Sequence, residues 1–408
     1  MLDIREVPED GIDAALELAY LVFHDRPEER VRERHRELLR GCDRLGAYDG
    51  TTLVGFLAAH PFRISVPGAD LPCPGLTFVA VAPTHRRRGV LTAMMAARLD
   101  RAVRDEHPVA ALWASETAIY GRFGFGAATQ GVSVEIDATR PLALRITPDP
   151  RPLRLVAPDE APALLGPYFE RTRTLRAGRT LRDEARWRAD WLAEQDEEDD
   201  ELGPPRILAL GDPLAGYAVY RSKTEEQPGA PGRGRGVVQV HELEADTPAA
   251  AAALWQCLTA LDLAGTVRAW GRPADDPLLL FAADRDQVRV TEQFPALWVR
   301  LVDVRAALTA RSWAAPVELV LEVRDDRLPA NAGRFRLKAG PDGAAYEPVH
   351  EAPDLVFDVR DLAACYLGGT PAGALVRAGL VTEHTPGAAE WLDAGLRTGL
   401  LPHTLDEF

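Results

Sequence analysis

The turn between Val81 and Val90 constrains the fold more than any other part of the chain, because it joins a predicted strand to a predicted helix. Thr77–Val81 alternates as a half-buried strand does, and Pro83 ends it since proline has no N–H for the ladder. Three arginines and Gly89 follow, and then apolar side chains take helical spacing. Backbone N–H groups, a helix N-terminus and cations therefore converge, which predicts an anion-binding site. An ordinary basic loop is the alternative that these residues leave open.

These residues resemble the acyl-CoA pyrophosphate loop of the GCN5-related N-acetyltransferases (GNAT enzymes). Arg86-x-x-Gly89 follows a strand that ends in Val-Ala-Val-Ala-Pro, as in that pattern. Leu91 replaces the usual Gly or Ala of the sixth position, and this departure and the triple arginine are similar to one branch, the Eis (enhanced intracellular survival) acetyltransferases. The resemblance implies that acetyl-CoA is bound by strand-edge backbone at Val79 and Val81 (pantetheine arm) and by Arg86, Arg87, Arg88, Gly89 and Val90 (pyrophosphate and adjacent phosphate).

A second motif follows the predicted helix. Val109–Ser115 is a continuous apolar run, which is typical of a strand buried on both faces. Tyr120 comes next, before Gly-x-Phe-Gly-Phe, and this order resembles the second half of the acetyltransferase pattern. The resemblance implies that Tyr120 lies near the CoA sulfur, where a phenol can protonate the departing thiolate. It also implies that Ser115 contacts the pantetheine arm. A core tyrosine with a satisfied hydroxyl is the alternative.

The Eis resemblance further implies an acceptor site, lined by Asp25, Phe78 and Glu407. In that branch the terminal carboxylate reaches the acetyltransferase domain as the base for the acceptor amine, so Phe408 is predicted as the base. An unperturbed α-carboxylate has a pKa of roughly 3.3–3.7, and burial would raise it. Glu116 or a water relay is the alternative base, and a solvated loop acid is the alternative interpretation of Asp25.

A chain of 408 residues is too long for one ordinary core, so several domains are expected. The prediction is an α+β (mixed α/β) fold in which residues 1–148 form the acetyl-CoA-binding GNAT domain. Residues 149–296 repeat the strand and helix order without Arg-x-x-Gly and with an acidic strand-to-helix turn, which indicates a second GNAT-like domain without a CoA site. Residues 297–408 are similar to the sterol-carrier-protein-like domain that ends Eis chains.

Several local elements of these domains can also be predicted. Thr247 is predicted to be an N-cap, and Pro248 the first residue of a helix in the second domain. Ala161–Leu192 is predicted to be helical, and Trp298–Leu308 to open the third domain. The acidic run Glu194–Glu201 is predicted to be a solvated loop, because its like charges repel one another.

Charge and composition restrict the partners. The formal net charge of −15 argues against nucleic acid and is compatible with a cationic substrate. No apolar run approaches the roughly 20 residues of a membrane span, and the N-terminus has no apolar signal core, so a cytoplasmic location is expected. The four cysteines have no CxxC spacing, which suggests neither a zinc site nor a disulfide framework. No metal is expected to be required.

The predicted function is acetyl-CoA-dependent N-acetylation, in which a bound amine attacks the thioester directly. The Eis resemblance implies polycationic acceptors such as aminoglycosides, acetylated at several amines, as well as peptide lysines, and it implies a homohexamer. Two alternatives stay open: an acetyltransferase for protein lysine or another small amine, and a lipid- or sterol-binding carrier that uses the C-terminal domain. The intact Arg86–Gly89 loop argues against a pure carrier, which has no use for it.

Overall fold

The structure is a computed structural model that describes residues 2–196, 199, 201–227 and 230–408. The described residues form three β-sheets. Their strands are β1 (Leu2–Glu6), β2 (Asp43–Asp49), β3 (Thr52–Val66), β4 (Ala69–Val81), β5 (Val109–Trp113), β6 (Gly126–Ala127), β7 (Gln130–Asp137), β8 (Leu153–Val156), β9 (Arg206–Leu210), β10 (Gly216–Gln227), β11 (Ala230–Ala245), β12 (Ala264–Pro273), β13 (Val288–Pro295), β14 (Leu297–Leu301), β15 (Val317–Arg324), β16 (Gly333–Gly340), β17 (Gly343–Pro348), β18 (Leu355–Asp358) and β19 (Thr382–Glu383).

Helices connect and cover these sheets. They are α1 (Ile12–Phe23), α2 (Glu29–Arg40), α3 (Val90–Arg104), α4 (Thr117–Tyr120), α5 (Ala161–Arg173), α6 (Glu184–Arg186), α7 (Pro248–Thr259), α8 (Leu278–Phe281), α9 (Val304–Ala310), α10 (Val359–Tyr366), α11 (Ala372–Arg377) and α12 (Ala388–Leu396). Among the described residues, none of these helices has the length and apolar character that crossing a membrane requires.

The first two sheets have the same strand arrangement and exchange one strand with each other. Their orders are β1-β2-β3-β4-β5-β14-β6 and β8-β9-β10-β11-β12-β7-β13, while the third sheet is β17-β16-β15-β18-β19. Strand β7 pairs with β12 and β13, and β14 pairs with β5 and β6. Sheet membership therefore crosses the predicted domain boundaries: β7 precedes residue 148 but lies in the second sheet, and β14 follows residue 296 but lies in the first.

This exchange corrects the prediction that Trp298–Leu308 opens the third domain. Its strand part completes the first sheet by antiparallel pairing, from Leu297 opposite Trp113 to Leu301 opposite Val109. The following helix, α9, packs against β17 of the third sheet, and β14 itself contacts α10 of that domain from its place in the first sheet. The apolar pattern of the strand was visible in the sequence, but its partner strand was not, because apolar alternation indicates burial without identifying the neighbour.

Helix α3 is fixed on the first sheet by its apolar face. Met94, Met95 and Leu99 are at most 2% exposed and pack in one core with Val54 and Leu76. Their spacing places them on one side of the helix, as the sequence predicted. The packing holds the N-terminus of α3 at the end of β4, which is where the arginine turn lies.

The predicted continuous helix over Ala161–Leu192 is wrong for residues 174–183. Helix α5 ends at Arg173, and a segment without regular structure follows before α6 and a short π-helix at Trp187–Trp191. Within that segment the Gly178 N–H donates to the Ser65 carbonyl, and the Ser65 N–H donates to the Arg179 carbonyl, both at 2.8 Å. These bonds to the end of β3 replace helical ones, and they are tertiary contacts that local periodicity does not indicate.

Two other local predictions have different outcomes. The N-cap is confirmed, since the Thr247 hydroxyl accepts from the Ala250 N–H at 3.1 Å. The acidic run is only partly a solvated loop, because Asp199 lies 2.5 Å from the ammonium of Lys223 on β10. Residues 197, 198 and 200 of that run lie outside the described residues.

The last residues of the chain connect all three domains. Residues 397–408 leave α12 without regular structure. The Leu401 N–H donates to Asp275 at 2.8 Å, and the His403 N–H donates to the Ala177 carbonyl at 2.8 Å, so the segment runs along the second domain. It ends at the first sheet. We call residues 397–408 the C-terminal segment.

Candidate active site

The arginine turn has the geometry of an anion-binding site. Arg87 and Gly89 have φ angles of 61° and 80°, so the backbone turns through left-handed conformations before α3 begins at Val90. A Cβ at Gly89 would meet no atom within 4 Å, so the positive φ rather than crowding favours glycine here. Val90 is buried, which anchors the helix end.

The cations of this turn point into solvent. Arg86, Arg87 and Arg88 are exposed, and no ion pair or hydrogen bond of their guanidinium groups occurs among the residues that the structure describes. No side chain caps the N-terminus of α3 either. Three guanidinium groups and uncapped helix N–H donors thus face the same region, and this combination suits a diphosphate.

The two parallel strands next to the turn diverge. β4 and β5 pair only at Gly75–Ala111 and Leu76–Leu112, although β4 continues to Val81 and stays paired with β3. An irregularity at Phe78, whose φ is 49°, accompanies the divergence. The β4 edge that includes Val79 and Val81 consequently has no strand partner on the β5 side, so its backbone groups are available to a ligand.

A cleft of about 240 Å³ opens where the strands part. Its lining is Phe23, Leu76, Thr77, Phe78, Val79, Trp113, Ala114, Ser115, Tyr120, Glu407 and Phe408. Six of these were predicted as site residues: Phe78, Val79, Ser115, Tyr120, Glu407 and Phe408. The cleft therefore brings together motifs from the two ends of the chain. The predicted catalytic and binding roles themselves stay predictions.

Other site residues were not anticipated or lie elsewhere. Asp25 is exposed and does not line the cleft; Phe23, at the end of α1, lines it instead. Trp113 was also missed, although the apolar run that contains it was recognised as a strand. A usable signal would have been its position at the end of β5, since ligands gather at the carboxyl ends of parallel strands.

The environment of Tyr120 keeps its hydroxyl protonated. The side chain is 5% exposed, and burial, with a smaller contribution from the negative charge of Glu116, raises the pKa of Tyr120 to about 12. An interaction with the Ser115 hydroxyl acts in the opposite direction. At neutral pH Tyr120 is therefore a proton donor, which is the state that protonation of a leaving thiolate requires.

An aromatic cluster holds Phe408. Its ring lies edge-to-face with Phe62 at 5.0 Å and with His60 at 6.1 Å between centroids. His60 and Phe62 are stacked at 4.5 Å, and the Arg186 guanidinium lies 4.5 Å over the Phe62 ring. These contacts fix the ring at one side of the cleft, because edge-to-face and cation–π contacts are directional.

Comparison with known proteins assigns this arrangement to a family. Models of the GNAT acetyltransferase domain match residues 3–128 and 178–305, and a model of the sterol carrier protein domain matches residues 304–403. The N-acetyltransferase Eis of Mycobacterium tuberculosis is 36% identical over 375 residues, which cover 89% of this chain and 88% of the relative. The chain belongs to the Eis family of N-acetyltransferases.

Further relatives support this membership along the whole chain. An uncharacterized N-acetyltransferase of Streptomyces avermitilis is 36% identical over 406 residues, or 98% of each chain. The crystal structure of Eis1 from Mycobacterium abscessus superposes with a TM-score of 0.85 and 31% identity, covering 100% of each chain. The fold prediction is confirmed: two GNAT domains precede a sterol-carrier-protein-like domain. The chain is an Eis-type N-acetyltransferase.

Proposed function

We propose that this Eis-family enzyme transfers the acetyl group of acetyl-CoA to amines of polycationic small molecules such as aminoglycosides, at more than one position. The observation that carries the proposal is the cleft itself. It joins Tyr120 and Ser115 of the first domain to Glu407 and Phe408 of the C-terminal segment. A proton donor and an acidic residue therefore line one small volume.

The first domain has the parts that acetyl-CoA needs, as the GNAT fold implies. The exposed guanidinium groups of Arg86, Arg87 and Arg88 suit the pyrophosphate and the adjacent phosphate. The unpaired edge of β4 at Val79 and Val81 suits the amide groups of the pantetheine arm. Acetyl-CoA supplies the activated acetyl thioester, and this edge would direct it toward Tyr120.

The proton transfers follow from the residues that line the cleft. As the acceptor nitrogen forms its bond to the acetyl carbon, the carbon–sulfur bond breaks and the Tyr120 hydroxyl protonates the departing thiolate. We assign the base to the main-chain carboxylate of Phe408, which takes the proton lost by the nitrogen; exchange with solvent then restores both groups. Much of the rate would come from holding the two substrates in line.

Electrostatics supports a cationic acceptor. Glu407 is exposed on the cleft wall, and the aromatic side chains of Phe23, Phe78 and Trp113 line the same volume. Carboxylates and aromatic faces both attract ammonium groups. Since the cleft is open to solvent at Glu407, different amines of one polycation could enter in turn. A homohexamer, expected from the family, is the assembly that we propose.

The test measures CoA release with aminoglycosides, a linear polyamine and a lysine-containing peptide, and counts the added acetyl groups by mass spectrometry. Two variants accompany the wild type: deletion of Phe408, and Phe408→Leu, which keeps the main-chain carboxylate but not the ring. We expect deletion to lower kcat by a factor of about 10²–10⁴, the usual contribution of a general base. Phe408→Leu should retain most of the turnover.

Each other outcome has a distinct meaning. Equal losses in both variants would show that the ring, not the carboxylate, matters. Turnover with the peptide alone would favour the protein-lysine alternative. Binding of an apolar ligand without binding of acetyl-CoA would overturn the proposal in favour of the lipid-carrier alternative.

A further inference from the structure

The second GNAT domain has a cleft that corresponds to the active one. Its parallel strands β11 and β12 occupy the positions of β4 and β5 in the shared strand order. Their pairing stops at Val240 and Ala269, although β11 continues to Ala245 and β12 to Pro273. The strands therefore part as β4 and β5 do. We call the space between residues 241–245 and 270–273 the second cleft.

The chain's own side chains fill the second cleft. Arg272 of β12 donates to the Leu243 carbonyl of β11 at 3.0 Å, and Asp276 holds its guanidinium at 2.7 Å. From the C-terminal segment, the His403 imidazole bonds to the Gly271 carbonyl. A Cβ at Gly271 would lie 2.5 Å from Leu405 Cδ2, so glycine permits the close approach of the segment.

A buried charge network secures the segment beside this cleft. Arg182 Nε lies 2.6 Å from Asp406, and its Nη1 lies 2.9 Å from Glu242 of β11. The Thr180 N–H donates to Asp406 at 3.1 Å, and the Tyr217 hydroxyl donates to Glu242 at 2.7 Å. Arg182, Glu242 and Asp406 side chains are at most 1% exposed. A buried pair of this kind specifies geometry because neither charge has water as an alternative partner.

Asp406 also contacts the active cleft through its backbone. Its carbonyl accepts from the Trp113 indole N–H at 2.9 Å, and Trp113 lines the active cleft together with Glu407 and Phe408. The side-chain carboxylate of Asp406 thus contacts the second domain, while its main-chain carbonyl lies at the wall of the active cleft in the first domain. A shift of Asp406 would move the next two residues out of the active cleft.

We infer that the second cleft, which has lost its CoA site, serves as the receptor for the C-terminal segment, and that Arg182 and Asp406 are positioning residues for acetyl transfer. They act by placing Glu407 and Phe408 in the acceptor part of the active cleft. The inference rests on the proposed function for its catalytic consequence, but the docking of the segment is a physical property that can be measured without turnover.

The test uses Asp406→Asn in the full-length chain, with Asp325→Asn as the matched control. Both substitutions keep the side-chain volume and break a buried arginine–carboxylate pair with a 2.6 Å contact. Asp325 pairs with Arg300 of β14, outside the second cleft, and no hydrogen bond or ion pair between Asp325 and the C-terminal segment occurs among the described residues. Hydrogen–deuterium exchange of the 399–408 peptide reports docking. Steady-state kinetics with both substrates reports function, and thermal melting confirms folding. Arg182→Lys, which keeps the charge, is a second variant in case Asp406→Asn folds poorly.

We expect Asp406→Asn to increase exchange in the 399–408 peptide by about tenfold or more, and to raise the acceptor KM about tenfold while the acetyl-CoA KM stays within about twofold. Arg182→Lys should change both quantities less. Partial unfolding would lower the active fraction without changing either KM. A rise in the acceptor KM alone therefore distinguishes positioning from general destabilisation. Unchanged exchange, or equal changes in Asp325→Asn, would overturn the inference. If the wild-type chain acetylates no amine, faster exchange in Asp406→Asn would support the docking and reject only the proposed function.

Discussion

The two GNAT sheets of this chain have the same strand order and the same diverging parallel strands, yet among the described residues the gap between those strands is an open cleft in the first sheet and is bridged in the second. In the first, the edge of β4 faces a space lined by Ser115 and Tyr120. In the second, Arg272 bridges the diverging strands and the C-terminal segment occupies the gap. The comparison teaches that the fold supplies a cleft, and that side chains determine whether it binds a substrate or the chain itself.

The strand-to-helix turns before α3 and α7 differ in a similar way: the first is open to a ligand, and the second is closed by the chain's own side chains. In the first domain the helix begins after Gly89 without a side-chain cap. In the second, Thr247 accepts from the Ala250 N–H, and Asp246 lies 3.2 Å from Arg171. Donors and cations in the first turn therefore remain available to a ligand, whereas in the second turn a helix donor is capped and the acidic side chain is paired within the chain.

The largest difference should appear when one buried tyrosine hydroxyl is removed from each domain. Tyr120→Phe should lower kcat by a factor of about 10²–10⁴, the usual range for a general acid, with little change in either KM. Tyr168 is the matched control, since its hydroxyl donates to the Ala215 carbonyl of the second domain at 3.2 Å. Tyr168→Phe should cost about 0.5–1.5 kcal/mol of stability and leave kcat within about twofold.

CoA release and thermal melting measure these two effects. Equal kcat values for wild type and Tyr120→Phe would remove the assigned acid. A large kcat loss in Tyr168→Phe would mean that the second domain contributes to chemistry, and the contrast between the clefts would fail.

A smaller effect should follow from alanine at the arginine turn. Gly89→Ala places a side chain at a φ of 80°, which costs about 1–2 kcal/mol, so the turn should relax and the acetyl-CoA KM should rise about tenfold. Gly379→Ala, at a φ of 73° and also with open space around a Cβ, imposes similar strain in the third domain. It should lower the melting temperature without changing that KM. Equal acetyl-CoA KM values in the two variants would argue against the turn as the diphosphate site.

The smallest effect is expected for Glu116→Gln. The Glu116 charge helps burial to raise the pKa of Tyr120, so its removal should move the alkaline loss of kcat to slightly lower pH and change kcat by less than about threefold. In wild type, this loss should begin only toward the folded-state pKa of about 12. Burial favours the neutral phenol, so Tyr120 adds to the free energy of unfolding below the unfolded-state pKa of about 10. This contribution is lost as the pH rises from there through the folded-state pKa of about 12.

Kinetics from pH 7 to about 12 provide the measurement, at pH values where the chain stays folded. A hundredfold loss of kcat in Glu116→Gln would instead identify Glu116 as the base that accepts the amine proton.

Local patterns predicted a large part of the active cleft. The spacing of Met94, Met95 and Leu99 indicated α3, and the arginines before it indicated the turn. These signals are readable because a helix or a turn is stabilised by residues close in sequence. The resemblance to Eis enzymes added predicted roles for Tyr120 and Phe408 that no spacing could provide.

The exchange of β7 and β14, the break after Arg173 and the ion pair between Arg182 and Asp406 were not predictable in this way. The last joins residues 224 positions apart. Strand pairing uses backbone groups that every residue carries, and a buried arginine in the sequence looks like any exposed one. Neighbouring residues therefore determined the elements and the anion turn of this protein, whereas packing of distant segments determined which cleft stayed open and which one the chain filled.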